Sequence, residues 1–320
     1  MPSSTGFAAT CSLNPSRSRC GRDGLLRLGF ERSAETHPTT LRHCRYTLPL
    51  QVLSPLTLDD GTCYLLLLNP TGGVLGGDRL RTEISLAENS AACLSTPSAT
   101  RIYRTNGHAA EMQTVVQVAS NATLEYLPDH LILHAGSALR QTLRIEMQPR
   151  SRGIFIDAFA AGRVAQDESW RFREFDSRTE VNLDGKLIYA ARTKISGAVT
   201  AGDVLHHSAA TTAGVATPAP LQGPDHQPLG TSHSSLPPYC ASLLIIADRF
   251  PDWRPVVANL RAQIDSVPDL LGGASPLSES GCSARYWANS AIALQEATRR
   301  LWTAARCQVL NLPPLDLRKY

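Results

Sequence analysis

His130 and His134 are the two imidazoles whose spacing most invites a metal. Four positions apart, they share a face in either a strand or a helix. A two-histidine site needs further ligands, and no third ligand on that face is evident. An exposed or hydrogen-bonded role is the simpler reading. His206, His207, His226 and His233 fall in a polar stretch and would hold metal only loosely, and His43 beside Cys44 is expected to pack. The eight cysteines form no C-x-x-C pair and follow no secretory signal, so free thiols in a reducing compartment are expected. Cys63 and Cys93 lie in apolar patterns and are expected to be buried.

The carboxylates give no paired acid–base arrangement. Asp59-Asp60 and Asp167-Glu168 are direct neighbours, and neighbours on a strand point to opposite faces. No G-x-S-x-G, Cys–His or dinucleotide signature occurs. Asp157 is the carboxylate that stands out, because it interrupts the apolar run 154–159 and there needs a partner or water. The segment 69–80 carries two double glycines, Gly72-Gly73 and Gly76-Gly77, followed by Asp78. A phosphate loop would need a helix behind it and a Lys-Ser/Thr; a strand follows instead, so a tight β connection capped by Asp78 is predicted.

These groups must be positioned by strands. Leu80, Thr82, Ile84 and Leu86 alternate with polar residues, as do Leu143, Ile145 and Met147, and no helical period intervenes from residue 41 to about 192. Residues 200–238, rich in Ala, Thr, Gly, Pro, His and Ser, read as a mobile insertion. A buried strand is predicted at 241–247, then helices at about 252–265 and 285–310 from Val256, Leu260, Ile264 and Leu294, Ala297, Leu301. Residues 1–22 read as a variable leader and 23–320 as one β-rich domain. A net charge of +3 without a basic stripe speaks against nucleic acid, and no apolar run approaches a membrane span. With no export signal, a cytoplasmic location is expected.

Four ordered motifs resemble the UreD (UreH) family of urease accessory proteins. Residues 69–78 resemble N-P-x-G-G-x-x-G-G-D. Residues 96–104 resemble T-P-x-A-T-K-x-Y-R, residues 124–128 resemble L-E-W/Y-L-P, and Gly162-Arg163 with Glu168 resembles G-R-x-x-x-G-E-x-F. Asp167 and Trp170 depart from that last pattern, and the ending 317–320 is a loose form of P-R-x-W.

The resemblance implies a mainly β fold: an elongated helical β-structure of stacked strand layers with a small C-terminal helical part. It implies no enzymatic activity and no tightly bound cofactor. Apo-urease, a UreF-type adaptor and, through it, a UreG GTPase are the implied partners, with nickel passing transiently through an internal tunnel. On that basis Asp157, Glu168, Thr96 and Tyr103 are the candidate tunnel residues, with no fixed metal site. For Asp157 an ion pair with Arg163 or another strand arginine remains an equal alternative. Glu168 could instead anchor a turn, and strand packing accounts for Thr96 and Tyr103 as well. A stand-alone β-rich metallo-hydrolase is the competing reading.

Overall fold

The computed structural model describes residues 22–34, 36–196, 236–278 and 280–317. Its body is a coil of strands. From β6 (Arg79–Leu86) the chain runs through β7 (Ala91–Ser95) and β8 (Thr100–Ile102). It continues through β9 (Ala110–Val118), β10 (Thr123–Leu127) and β11 (Leu131–Leu133), then β12 (Ala138–Met147), β13 (Arg152–Ala160) and β14 (Glu174–Leu183). β6, β9, β12 and β14 lie side by side and parallel in one sheet, while β7, β10 and β13 do so in a second. β8 and β11 pair as a short third side. The first two circuits visit the first sheet, the second and then the short side; the third passes from β13 to β14 without a short strand.

The turn between the sheets recurs. Asn89, Asn121 and Arg150 hold φ of 60°, 59° and 64° at equivalent places. The chain closes there through Ser90, Ala122 and Ser151, whose N–H groups donate to Ala87, Ala119 and Gln148 carbonyls. Asparagine tolerates the left-handed region better than most residues.

In the first sheet, β1 (Asp23–Glu31) lies parallel to β6 and carries β2 (Thr40–Tyr46) antiparallel at one edge; β15 (Lys186–Ser196) closes the other. The second sheet begins with β3 (Gln51–Val52), β4 (Leu56–Thr57) and β5 (Cys63–Leu68). It ends with β16 (Tyr239–Ala247), β18 (Gly281–Ala288) and β17 (Leu270–Pro276). The predicted buried strand at 241–247 thus lies within β16.

Between the sheets the side chains stack in rows. Ile84, Val116, Ile145 and Val181 are in register and almost fully buried, as are Leu86, Val118, Met147 and Leu183. Each such burial contributes about 1.5–3 kcal/mol. Toward the other end of the same strands the rows turn polar: Thr82, Thr114, Leu143 and Thr179, then Leu80, Met112, Gln141 and Ser177. The interior is apolar at one end and mixes hydroxyl and amide groups with Leu80, Met112 and Leu143 at the other.

Two helices cover the outer face of the second sheet. α1 (Arg254–Asp265) buries Val256, Val257, Leu260 and Ile264; α2 (Ala291–Ala305) buries Leu294, Ala297, Leu301 and Trp302. Covered on both faces, β16 and β18 carry mostly buried residues. The helix expected over 285–310 is therefore shorter. Residues 285–288 belong to β18, Ser290 caps α2 by accepting from the Ala293 N–H at 3.1 Å, and Arg306–Leu310 form a π turn. The helix expected over 252–265 starts at Arg254.

Behind α2 a buried polar knot joins the C-terminal part to the coil. Glu125 accepts from Trp302 Nε1 at 2.6 Å and from the Arg306 guanidinium; Arg306 also donates to Asp60 Oδ2 and to the Pro313 carbonyl, each at 2.8 Å. Asp60, expected in a polar turn, thus has a partner 246 positions away.

Most of the expected insertion and leader lie outside the described residues, but their inner ends are packed. Trp170 Nε1 donates to the Leu236 carbonyl at 3.2 Å, Ala161 N–H donates to Pro238, and the Arg22 N–H donates to Asp78. At the β2–β4 end no described residue covers the stack. β2 is exposed almost throughout, and Tyr46, Leu48, Leu53 and Leu56 are 44 to 60 % exposed. His43 and Cys44 are exposed there as well, contrary to the packing role expected of His43.

Candidate functional site

The polar half of the interior encloses a cavity of about 370 Å³. Thr82, Thr114 and Gln141 line it from the first sheet, and Tyr126 and Asp157 from the second. Asp157 also walls a smaller cavity of about 30 Å³, together with Ser177, Tyr189, Thr193, Ser242 and Arg285. It therefore stands where the two spaces meet.

The coil sets this geometry. β12 brings Gln141 and β14 brings Ser177 into register, and both reach across to β13. Gln141 Nε2 donates to Asp157 Oδ1 at 2.8 Å and the Ser177 hydroxyl donates to Oδ2 at 3.0 Å. Asp157 is half-buried and lines both spaces. Its carboxyl is pushed up by burial, opposed by the bonds from Gln141 and Ser177 and by the charge of Arg285. Tyr126 is raised by burial too and stays a neutral phenol.

Of the other candidate tunnel residues, Thr96 lines the main cavity; its hydroxyl accepts from the Asp129 N–H at 2.8 Å and lies 3.2 Å from Asp129 Oδ2. Tyr103 is elsewhere: its hydroxyl donates to the Gly72 carbonyl at 3.1 Å, and its ring meets His134 edge-on in an outer recess. Glu168 lines neither interior space. Arg163 binds it at the surface through both guanidinium edges, Nε to Oε2 at 2.7 Å, and holds its carboxyl low. That pairing places Glu168 apart from both interior spaces and gives Arg163 a partner other than Asp157; the strand arginine that acts on Asp157 is Arg285.

His130 and His134 both border the outer recess, with Tyr239 against His130. Desolvation lowers both imidazoles, leaving them neutral near pH 7. Among the described residues no three His, Cys, Asp or Glu side chains are grouped to hold a metal. What the interior offers is Asp157 and Asp129 among hydroxyls, the Gln141 amide and apolar side chains, an oxygen set that suits weak contact with a hydrated divalent cation.

The first double glycine joins the cavity wall to β8. Gly72, Gly73 and Val74 line the cavity, and Val74 exchanges hydrogen bonds with Arg101 and Tyr103. Gly73 has φ 152°, and a Cβ there would lie 2.5 Å from the Arg101 carbonyl. Gly76 is a close approach: its Cβ would stand 2.0 Å from Thr105 Oγ1. Gly77 also turns at positive φ. Asp78 closes the loop, accepting from the Leu75 and Arg22 N–H groups at 2.9 and 2.8 Å.

Residues 22–319 match the model of a protein family described as UreD urease accessory protein. The chain belongs to the UreD family. It is 27 % identical to the urease accessory protein UreD of Citrobacter koseri over 291 residues, covering 91 % of this chain and 88 % of that protein. Against UreD of Dechloromonas aromatica it is 30 % identical over 284 residues, 88 % of each. A shorter match to UreD of Marinobacter nauticus is 36 % identical over 174 residues, 52 % of this chain and 58 % of that protein. Of the stretches that resemble UreD motifs, parts of 69–78 and 96–104 line the main cavity. Residues 124–128 carry Glu125, which faces α2. No helix among the described residues is long and apolar enough to cross a membrane.

Proposed function

We propose that this UreD-family chain is a non-catalytic scaffold in urease maturation. It binds apo-urease and a UreF–UreG-type complex, and its interior passes nickel as cargo. The observation that carries the reading is Asp157, a carboxylate set where two interior spaces meet. An acid with hydroxyl and amide neighbours and no grouped third ligand among the described residues contacts a hydrated divalent ion without trapping it, whereas a full tetrahedral ligand set would hold it. Nickel accepts such oxygen donors together with water.

Co-expression with apo-urease and a UreF-type partner, followed by pull-down, tests the scaffold. Recovery of neither partner would end this reading. Asp157→Ala tests the conduit: the complexes should form as before, and urease should emerge with less nickel by elemental analysis. Glu168→Ala, at the surface, should leave nickel loading intact. If Asp157→Ala also loads urease fully, the interior is not the route.

A further inference from the structure

The outer recess carries a chemistry that the conduit does not use. Arg101 on β8, Ile132 on β11, Ala160 on β13 and Tyr239 on β16 are successive partners across four strands. Their neighbours Ile102, Leu131 and Leu133 are buried, so alternation turns Arg101 and Ile132 outward, and with them His134, two positions on. All of these outward residues line the recess, a space of about 640 Å³. Ala160 and Gly162 add little bulk to it, and the residues that follow, Arg163 and Val164–Gln166, complete the lining.

The charges gathered there do not cancel. Arg163 is closed on Glu168, with Nε 2.7 Å from Oε2. Arg101 is exposed and forms no ion pair among the described residues. Two guanidiniums against one carboxylate leave a positive charge over. The His134 ring meets Tyr103 edge-on at 5.0 Å and makes no hydrogen bond to a described residue. Desolvation holds this imidazole down, and the charges of Arg163 and Arg101 add to that effect while Glu168 opposes it. A metal cation is repelled by such a field, whereas an anion is drawn in.

We propose that the outer recess binds a small oxyanion of the phosphate class, held by the Arg101 guanidinium and the His134 imidazole beside the Arg163–Glu168 pair. A guanidinium presents paired N–H donors that match two oxygens of such an ion. The imidazole supplies one donor when neutral, and a second donor with a charge once protonated. His130, four residues back at about 3.3 Å per residue, stands roughly 13 Å away and lies beyond the reach of the same ion. The site is independent of the conduit: each reading stands if the other falls.

The test uses the full chain at low ionic strength, with inorganic phosphate as the probe and calorimetry as the readout. One ion should bind per chain, saturably. Arg101→Gln should weaken binding on the order of tenfold, and Arg101→Lys should recover part of that loss, both with the unfolding midpoint unchanged. Arg104→Gln removes an exposed charge that does not line the recess, so it should leave the affinity as it was. Sulfate, whose own charge is constant near neutrality, serves for a pH series. Arg101, Tyr103, Arg163 and Glu168 face His134, with His130 and Tyr239 at the other end of the recess. The arginines keep their protons, and Arg163 holds Glu168 low, so protonation of His134 should raise sulfate affinity several-fold from about pH 7.5 to about pH 5.5. His134→Gln should flatten that rise, and His130→Gln should keep it. Absence of saturable binding would overturn the site, as would equal weakening by Arg101→Gln and Arg104→Gln. A rise that persists in His134→Gln would overturn the part given to the imidazole.

Discussion

The Glu125 carboxylate and the Arg306 guanidinium come from positions 181 apart and meet with 1 % of either side chain exposed. Glu125 belongs to the second sheet, and Arg306 to the π turn that ends α2, so this contact fastens the C-terminal part to the coil. Trp302, Asp60 and the Pro313 carbonyl satisfy the remaining groups. Such a buried set is costly to break from one side, because removing one partner leaves the other charge without water or a counter-charge.

Arg306→Met should therefore cost about 3–5 kcal/mol in urea unfolding. Adding Glu125→Gln removes the stranded charge and should recover part of the loss. A double variant as weak as the sum of the two single ones would contradict this coupling.

Gly76→Ala forces a methyl group against Thr105 and should destabilise the chain by about 1–3 kcal/mol. Gly107 is the control: nothing lies within 4 Å of a Cβ there. Gly107→Ala should leave the thermal midpoint almost unchanged, and equal effects at both sites would remove the steric explanation.

The described thiols should divide in two under native labelling. Cys44 and Cys307 are exposed. Burial pushes Cys63 up to about 11 and Cys240 and Cys282 to about 12, so almost no thiolate forms near pH 8. Peptide mapping after alkylation should find Cys44 and Cys307 modified first, and Cys63, Cys240 and Cys282 only after unfolding. Rapid labelling of Cys282 in the native protein would count against the packing of β18.

Asp176 supplies a pH test. Arg192 donates to it twice, at 2.9 and 2.8 Å, and with Arg178 holds its carboxyl below the ordinary range. A folded value below the unfolded ~3.9 means the stabilisation is complete above that value and is lost as pH falls through the folded one. Arg192 is 44 % exposed, so the gain over Asp176→Asn should be modest, about 0.5–1 kcal/mol at pH 7. It should shrink toward zero on acidification below about pH 3.9. A difference that grows in acid would reverse the assignment.

β6 and β12 were legible in the sequence because their outer faces are wet: Arg81 and Arg144 alternate with core residues, which leaves a period of two. β18 was not, because both of its faces are covered. An apolar run without alternation gives no hint of where a strand ends and the helix after Ser290 begins. Asp157 could be singled out as an acid in an apolar strand. Its partners could not, since Gln141 and Ser177 arrive through the register of β12 and β14, which one-dimensional spacing does not encode. The placement of Glu168 was not legible either. Its motif neighbour Arg163 is also its partner in space, and the pair satisfies itself at the surface. The recurrence of the coil is likewise carried by pairing and by the turns at Asn89, Asn121 and Arg150, while the residues around them differ.

The exposed first layer has a practical consequence. A stacked fold stays dispersed when its terminal layer shows water a polar face, and here that layer shows Tyr46, Leu48, Leu53 and Leu56. Made without companions, the chain carries an adhesive end, so its yield and monodispersity will follow what it is produced with. Gly24 packs against Pro49 and Leu50, which places the start of β1 beside that end. A solubilising carrier joined ahead of Arg22 will therefore shield it better than one joined after α2.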